Sequence, residues 1–210
     1  LPVLYNLGIT MDDYDQATKR AGDFVFEDLN DDHLKDRIFL EFYLEICGTS
    51  GCGPIHSIKY ILPLDTMLVS PVYGTVDRYW HQEREDDYEL VIIPDGFPEW
   101  RVYFDHIVNL RVKTGDTVRP GDPIGNPTPQ KGLLYKKARV ELAVQKEILP
   151  RQQNICAVIL LDDTVREDIE NRILKFARDW EEFLGKDVYD EDAWSAPGCL
   201  AEMGKLWVYD

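Results

Sequence analysis

The sequence predicts a mostly-β fold, a small barrel or sandwich, with an N-terminal extension and a C-terminal amphipathic helix. Three observations predict it. First, two similar turns follow each other closely, Thr114-Gly115-Asp116-Thr117-Val118 and Pro120-Gly121-Asp122-Pro123-Ile124-Gly125. Glycine tolerates positive φ and Asp bonds its own backbone, so each Gly-Asp pair reads as a tight turn. Val118 and Ile124 then enter strands, and turns this close leave room only for very short ones. Second, several segments are rich in β-branched and aromatic residues or alternate with period two, as in Val140, Leu142 and Val144. Third, Val165, Ile169, Ile173, Phe176, Trp180 and Phe183 recur at helical spacing.

In chain order, Thr10 is expected to cap a short helix over residues 11–21, with Asp12 and Asp13 at its positive end and Gly22 as its stop. Residues 28–32 alternate oxygen ligands but lack the glycine and distal Glu of an EF-hand, so they read as a turn. Strands are expected over 37–46, 54–62, 67–69 and 74–80, and a charged hairpin tip over 81–87. Further strands are expected over 88–93 and 101–104, joined by the turn at 94–98. Residues 126–132 read as a Pro-rich loop, and 139–144 and 155–161 as strands. The helix over 164–184 carries a capping box, Thr164 with Glu167, and ends at Gly185. Residues 187–192 read as a solvated acidic turn, and Trp207 and Tyr209 as a last strand. The organisation that follows is an extension over 1–53, a β core over 54–150, and a C-terminal strand, helix and acidic tail over 151–210.

Composition narrows the function classes. The 210 residues fit one decorated domain, and a hydrophobic fraction of 44% is enough for a packed core. The formal net charge of −16 repels nucleic acid and anionic membranes, and no apolar run is long enough for a membrane span. Four cysteines make an even count. Cys47 and Cys52 bracket a flexible Gly-Thr-Ser-Gly loop that a disulfide can close, and a Cys156–Cys199 bridge would staple the tail to the core. Two disulfides imply a secreted, periplasmic or cell-surface protein, whereas four buried thiols would imply a cytosolic one. Neither pair has the spacing of a zinc knuckle. The chain begins at Leu1, which is read as the mark of a removed leader.

One constellation of motifs carries a resemblance. Ser70-Pro-Val-Tyr-Gly-Thr-Val76, then Tyr103-Phe-Asp-His-Ile107, then Val112-Lys-Thr-Gly-Asp-Thr-Val-Arg-Pro-Gly-Asp-Pro-Ile-Gly125 resemble the lysostaphin-like zinc endopeptidases, whose fold is called the duplicated hybrid motif. The match runs from His56 to Val144, under half the chain. Biotinyl and lipoyl carriers use a similar Gly-Asp turn, but the modifiable Lys at a hairpin tip that defines them is not found.

The resemblance implies a zinc site of a particular layout. The family holds zinc with a His, an Asp four residues later, and one His of a late His-x-His pair, and keeps water in the fourth position. By that layout His56 is the first zinc ligand, but Tyr60 stands where the Asp belongs. Arg139 and Glu141 replace the His-x-His pair. His106, after Tyr103, alone keeps the family identity of a catalytic residue. His56 and Glu141 are left as candidate metal ligands, with Arg139 opposing a cation beside them. No phosphate loop or dinucleotide fingerprint is present, and Ser50 has no His paired with it in sequence.

The expected function is therefore that of a non-catalytic, extracellular, pseudoenzyme-like domain with no cofactor. Its groove would bind cell-wall glycan, a peptide or a protein partner through Tyr60, Trp80, Trp100, Tyr103 and Arg139, since aromatics stack on sugars and peptides. The alternatives are a zinc metallopeptidase with an unusual ligand set, and a structural domain of a larger assembly.

Overall fold

The computed structural model of the chain describes residues 1–27, 34–48, 51–129, 137–148, 151–200 and the backbone of 207–209. The expected turn at 28–32 lies outside them. The fold is mostly β. Strands β1 (Arg20–Ala21) and β2 (Phe24–Val25) form a small hairpin, and β4 (Glu45–Gly48) pairs with β5 (Gly51–Pro54) in another. The large antiparallel sheet holds β3 (Phe39–Leu40), β6 (Ile58–Pro63), β7 (Leu68–Val69), β8 (Gly74–Gln82), β9 (Asp87–Pro94) and β10 (Trp100–Val108). It continues with β11 (Thr117–Val118), β12 (Pro123–Pro129), β13 (Lys137–Ile148), β14 (Arg151–Ile155) and β15 (Trp207–Tyr209). Its order runs β11-β8-β9-β10-β12-β13-β14-β15, with β6 beside the first half of β13. Among the described residues its outer strands do not meet, so the sheet is open, as in a sandwich and unlike a closed barrel. The helix α1 (Asp163–Leu184) follows.

The two Gly-Asp turns are copies of one device. Gly115 and Gly121 take φ of 90° and 91°. In each turn the Asp carboxylate accepts from a backbone N–H three residues back, Lys113 for Asp116 at 2.9 Å and Arg119 for Asp122 at 2.8 Å. Each then clasps a residue of the facing strand region from both sides. Gly115 N donates to Val76 O and Val76 N to Asp116 O, while Gly121 N donates to Ser70 O and Ser70 N to Asp122 O, all at 2.8–2.9 Å. The glycines are required because a left-handed residue with a side chain is strained there.

The helix is placed as the apolar stripe predicts. Ile173, Phe176 and Trp180 are buried, and Phe176 meets Phe24 and Phe26 with ring centroids 4.6 Å and 5.5 Å away. Trp180 meets Phe26 at 5.1 Å, and its indole N–H donates to Asp36 O. The cap is Asp162, which accepts from Thr164 N at 2.9 Å, so the expected Thr164–Glu167 box gives way to the residue before the helix. Gly185, at φ 69°, closes the other end.

Residues 11–21 do not form the expected helix. Asp15 accepts from Ala17 N and Thr18 Oγ1, a local turn that competes with helical bonding, and Lys19 is left-handed at φ 55°. Asp23 pins Thr10 N at 2.6 Å. The expected strand over 37–46 is interrupted by a left-handed Tyr43, and that over 155–161 turns into a 3₁₀ segment at Ala157–Leu160. Residues 123–129 are strand where part of a loop was expected. Both disulfides are present, Cys47–Cys52 and Cys156–Cys199.

Candidate functional site

The middle of the large sheet turns one face to a groove of about 270 Å³. Strand alternation decides what lines it. On β13, Val140, Leu142 and Val144 point into the core, so Arg139, Glu141, Ala143 and Gln145 take the other face. On β6, Ile58, Tyr60 and Leu62 point inward and Lys59 takes the groove side. Lys59 and Glu141 sit directly opposite in the β6–β13 register. Lys59 Nζ lies 2.7 Å from Glu141 Oε1, and Ser57 Oγ donates to Glu141 Oε2 at 2.8 Å.

A bulge in β10 supplies the next two groups. The register with β9 shifts between Phe104 and Ile107, and His106 is left-handed at φ 64°. A regular strand would point Asp105 and His106 to opposite faces; the bulge brings both beside Glu141. His106 is buried. Its Nδ1 lies 2.8 Å from Asp87 Oδ2, and its Nε2 faces the guanidinium of Arg139. A guanidinium has no acceptor, so Nε2 accepts from Arg139 and Nδ1 carries the proton given to Asp87. Asp105 accepts from Gln82 Nε2 at 2.5 Å and from His106 N at 2.8 Å.

The electrostatics are uneven along this row. Burial raises the Glu141 carboxyl, but Lys59 and Arg139 outweigh it and hold its pKa below the usual value. Glu89, across β9 and with no ion pair among the described residues, is pushed up to about 7, first by burial and then by the charges of Asp105 and Glu141. Asp105 is raised too, chiefly by burial. His56 lines the same groove, half-buried and edge-on to Tyr43 with centroids 5.7 Å apart, and burial lowers its pKa.

Asp105, His106 and Glu141 place one potential ligand atom each within 4.8 Å of one another, and His56 is outside that group. The set does not fit a zinc ion. Every one of these three donors already has a partner from the chain, and two cations, Lys59 and Arg139, stand among them. A cation placed there would meet both at close range.

The aromatic and basic residues expected to bind fall in different places. Tyr60 is a core residue, fully buried between Phe24 and Phe39, with its hydroxyl donating to Leu7 O at 3.0 Å; it does not reach the groove. Trp100 is also buried, with Lys146 over its ring. Tyr103 lines the groove, and its hydroxyl, 3.4 Å from Glu147 Oε1, is pushed up to about 12 by burial and by that carboxylate. Trp80 is 39% exposed on β8, directly opposite Glu89 at the rim, with Arg78 over its ring. Arg139 is inside the ion network. Sequence reasoning missed Lys59, Ser57, Asp87 and Glu89. Lys59 was legible in the pattern, as the one charge between Ile58 and Tyr60; Asp87, assigned to a hairpin tip, gave no signal of its burial.

No family model and no curated protein matches the chain. Solved structures do. The chain is similar to LytU, at 24% identity and a TM-score of 0.45 over 53% of this chain and 75% of that one. It is similar to a variant of the catalytic domain of the prophage-encoded M23 protein EnpA from Enterococcus faecalis, at 19% and 0.44 over 57% and 88%. It is also similar to lysostaphin, at 15% and 0.42 over 53% of this chain; the match spans 45% of lysostaphin's own length. Lysostaphin, LytU and an M23 protein are thus among the solved structures that this chain is similar to.

Proposed function

We propose that this chain is a non-catalytic, extracellular binding domain whose groove takes cell-wall glycan or peptide, or a protein partner. The observation that carries the reading is the Lys59–Glu141 ion pair at 2.7 Å, with Arg139 between Glu141 and His106. Where a zinc peptidase needs a metal and an open coordination position for water, this chain places its own cations. The two disulfides support an oxidising compartment. The motif resemblance supports the class of ligand, and the open groove lined by Tyr103, Ala143 and Gln145, with Trp80 at its rim, supports a surface that stacks and hydrogen-bonds.

A zinc peptidase is the rival reading, favoured by the proximity of Asp105, His106 and Glu141. Incubation with purified cell-wall sacculi separates the two. The expected result is co-sedimentation, weakened by Tyr103→Ala, with no release of soluble fragments. Fragment release that a chelator abolishes would overturn the proposal, and no retention at all would overturn the cell-wall ligand in favour of the protein partner.

A further inference from the structure

The outer strand at the rim of the groove is unfinished. β8 pairs with β9 from Gly74 to Gln82, with a bulge at Asp77 between Val76 and Arg78 and a regular ladder from Arg78 to Gln82. On its outer side β11 covers only Gly74 and Thr75, and the first Gly-Asp turn covers Val76. Among the described residues nothing pairs with the backbone of residues 77–82 on that side. The segment Asp77-Arg-Tyr-Trp-His-Gln82 has no Pro, Gly or Lys; its bulge and its charges lie at one end, at Asp77 and Arg78, and leave Tyr79 to Gln82 as regular, unblunted edge. Tyr79 and Trp80 are 38% and 39% exposed, and alternation points them to opposite faces. Tyr79 leans on Tyr88 at 5.8 Å, and Trp80 carries Arg78 over its ring at 5.7 Å. Among the described residues the sheet's other end strands are short, two residues each in β3, β7 and β11 and three in β15.

We propose that residues 77–82 receive an extended peptide of net positive charge, which adds to the sheet as a further strand. A row of unpaired backbone donors and acceptors specifies an extended backbone as its complement, and an aromatic ring on each face grips the side chains that alternate along it. The charge follows from the surroundings. The adjoining turn carries Glu83, Glu85 and Asp86 against Arg84 alone, on a chain of net charge −16. A second copy of this chain is the poorer occupant. It would bring another −16, and six residues of strand fall well short of the roughly 20–30 residues a side of a standard interface. The proposal uses backbone at the sheet edge and does not depend on what fills the groove, so either can fail without the other.

The test titrates the intact chain with a blocked peptide of alternating Lys and Val, beside the same peptide N-methylated at alternate residues and a Glu-for-Lys version. The expected result is binding by the first, at least tenfold weaker binding by the other two, and slowed amide exchange within residues 78–81. Tyr79→Pro and Trp80→Pro extend the test. Of two neighbours in a strand, one aims its N–H outward, so one variant should keep the fold and lose the peptide. If neither variant folds, the N-methylated probe still decides. Equal binding of native and N-methylated peptides, no binding of the Lys peptide, or a chain dimer formed through this edge would overturn the proposal.

Discussion

Two neighbouring residue pairs on the same two strands live in opposite environments. Tyr60 faces Val140 and Lys59 faces Glu141, both across the β6–β13 ladder. The first pair belongs to an aromatic core in which Phe24 and Phe39 each meet both Tyr60 and Phe176. The second belongs to a charged network in which each member answers another. One residue of register separates hydrophobic burial from ion pairing, and strand parity decides which residue meets which. Counting back along the family motif assigns the groove position to Tyr60, but the side chain there is that of Lys59.

The comparison can be broken by putting a charge on the wrong side of it. Tyr60→Asp would bury a carboxylate with no cation in reach among the described residues and remove the bond to Leu7 O. The expected cost is roughly 4 kcal/mol or more, read as loss of the cooperative urea transition or a steep fall in its midpoint. A folded, unperturbed Tyr60→Asp chain would mean that Tyr60 faces solvent.

The disulfides sharpen it next, because one lies on each side. Cys156 and Cys199 are buried and close 43 residues of chain; Cys47 and Cys52 are exposed and close 5, in the hairpin that leads into the groove wall at Pro54. Loop-closure entropy gives about 4 kcal/mol for the first and about 2 for the second. Denaturation of the paired Cys→Ala variants should rank them in that order, and the reverse ranking would show that the short hairpin holds the groove together. Four titratable thiols in the unreduced, denatured protein would remove both bridges.

On the groove side, Glu141→Gln leaves Lys59 and Arg139 without their anion. Lys59 and Glu141 are 13% and 16% exposed, so the loss should be ~2–3 kcal/mol, below the ~3–5 of a fully buried pair. Lys59→Met with Glu141→Leu removes both charges and should fall within ~1 kcal/mol of the parent. If the double variant loses as much as the sum of the singles, the pair is not coupled.

The smallest effect concerns Glu89. Its folded pKa of about 7 lies above the ordinary 4.5, so the fold favours the protonated form. That contribution is complete below pH 4.5 and is lost as pH rises through 7. Glu89→Gln should therefore leave Tm unchanged at the acid end and raise it above pH 7, and a variant that destabilises at pH 8 would show that the carboxylate has an unrecognised cation partner.

How much of this was legible in sequence depended on whether the signal was local. The two Gly-Asp turns, the helix stripe and the Cys47–Cys52 pair follow from residues that act within one turn or one periodic face, and each is found as expected; Cys156–Cys199 spans 43 residues and follows as the remaining pair of an even count. The failed helix at 11–21 was also local, but Asp15 accepts from the Ala17 backbone N–H and from the Thr18 hydroxyl, and the caps alone could not outweigh that turn. The site was less legible. Glu141, His106 and Arg139 stand at positions that the motif marks, whereas only strand parity marks Lys59, against the family position that points to Tyr60. The αL bulge at His106 and the burial of Asp87 arise from pairing between distant strands, which no window of sequence contains.

The central claim is that the chain's own cations stand where a metal would. Its most direct measurement is zinc bound per chain, by equilibrium dialysis of native protein prepared without chelator, beside a Lys59→Met, Arg139→His variant. The account predicts substoichiometric zinc in the native chain and a gain only in the variant. One zinc per native chain, lost on Glu141→Gln, would contradict it.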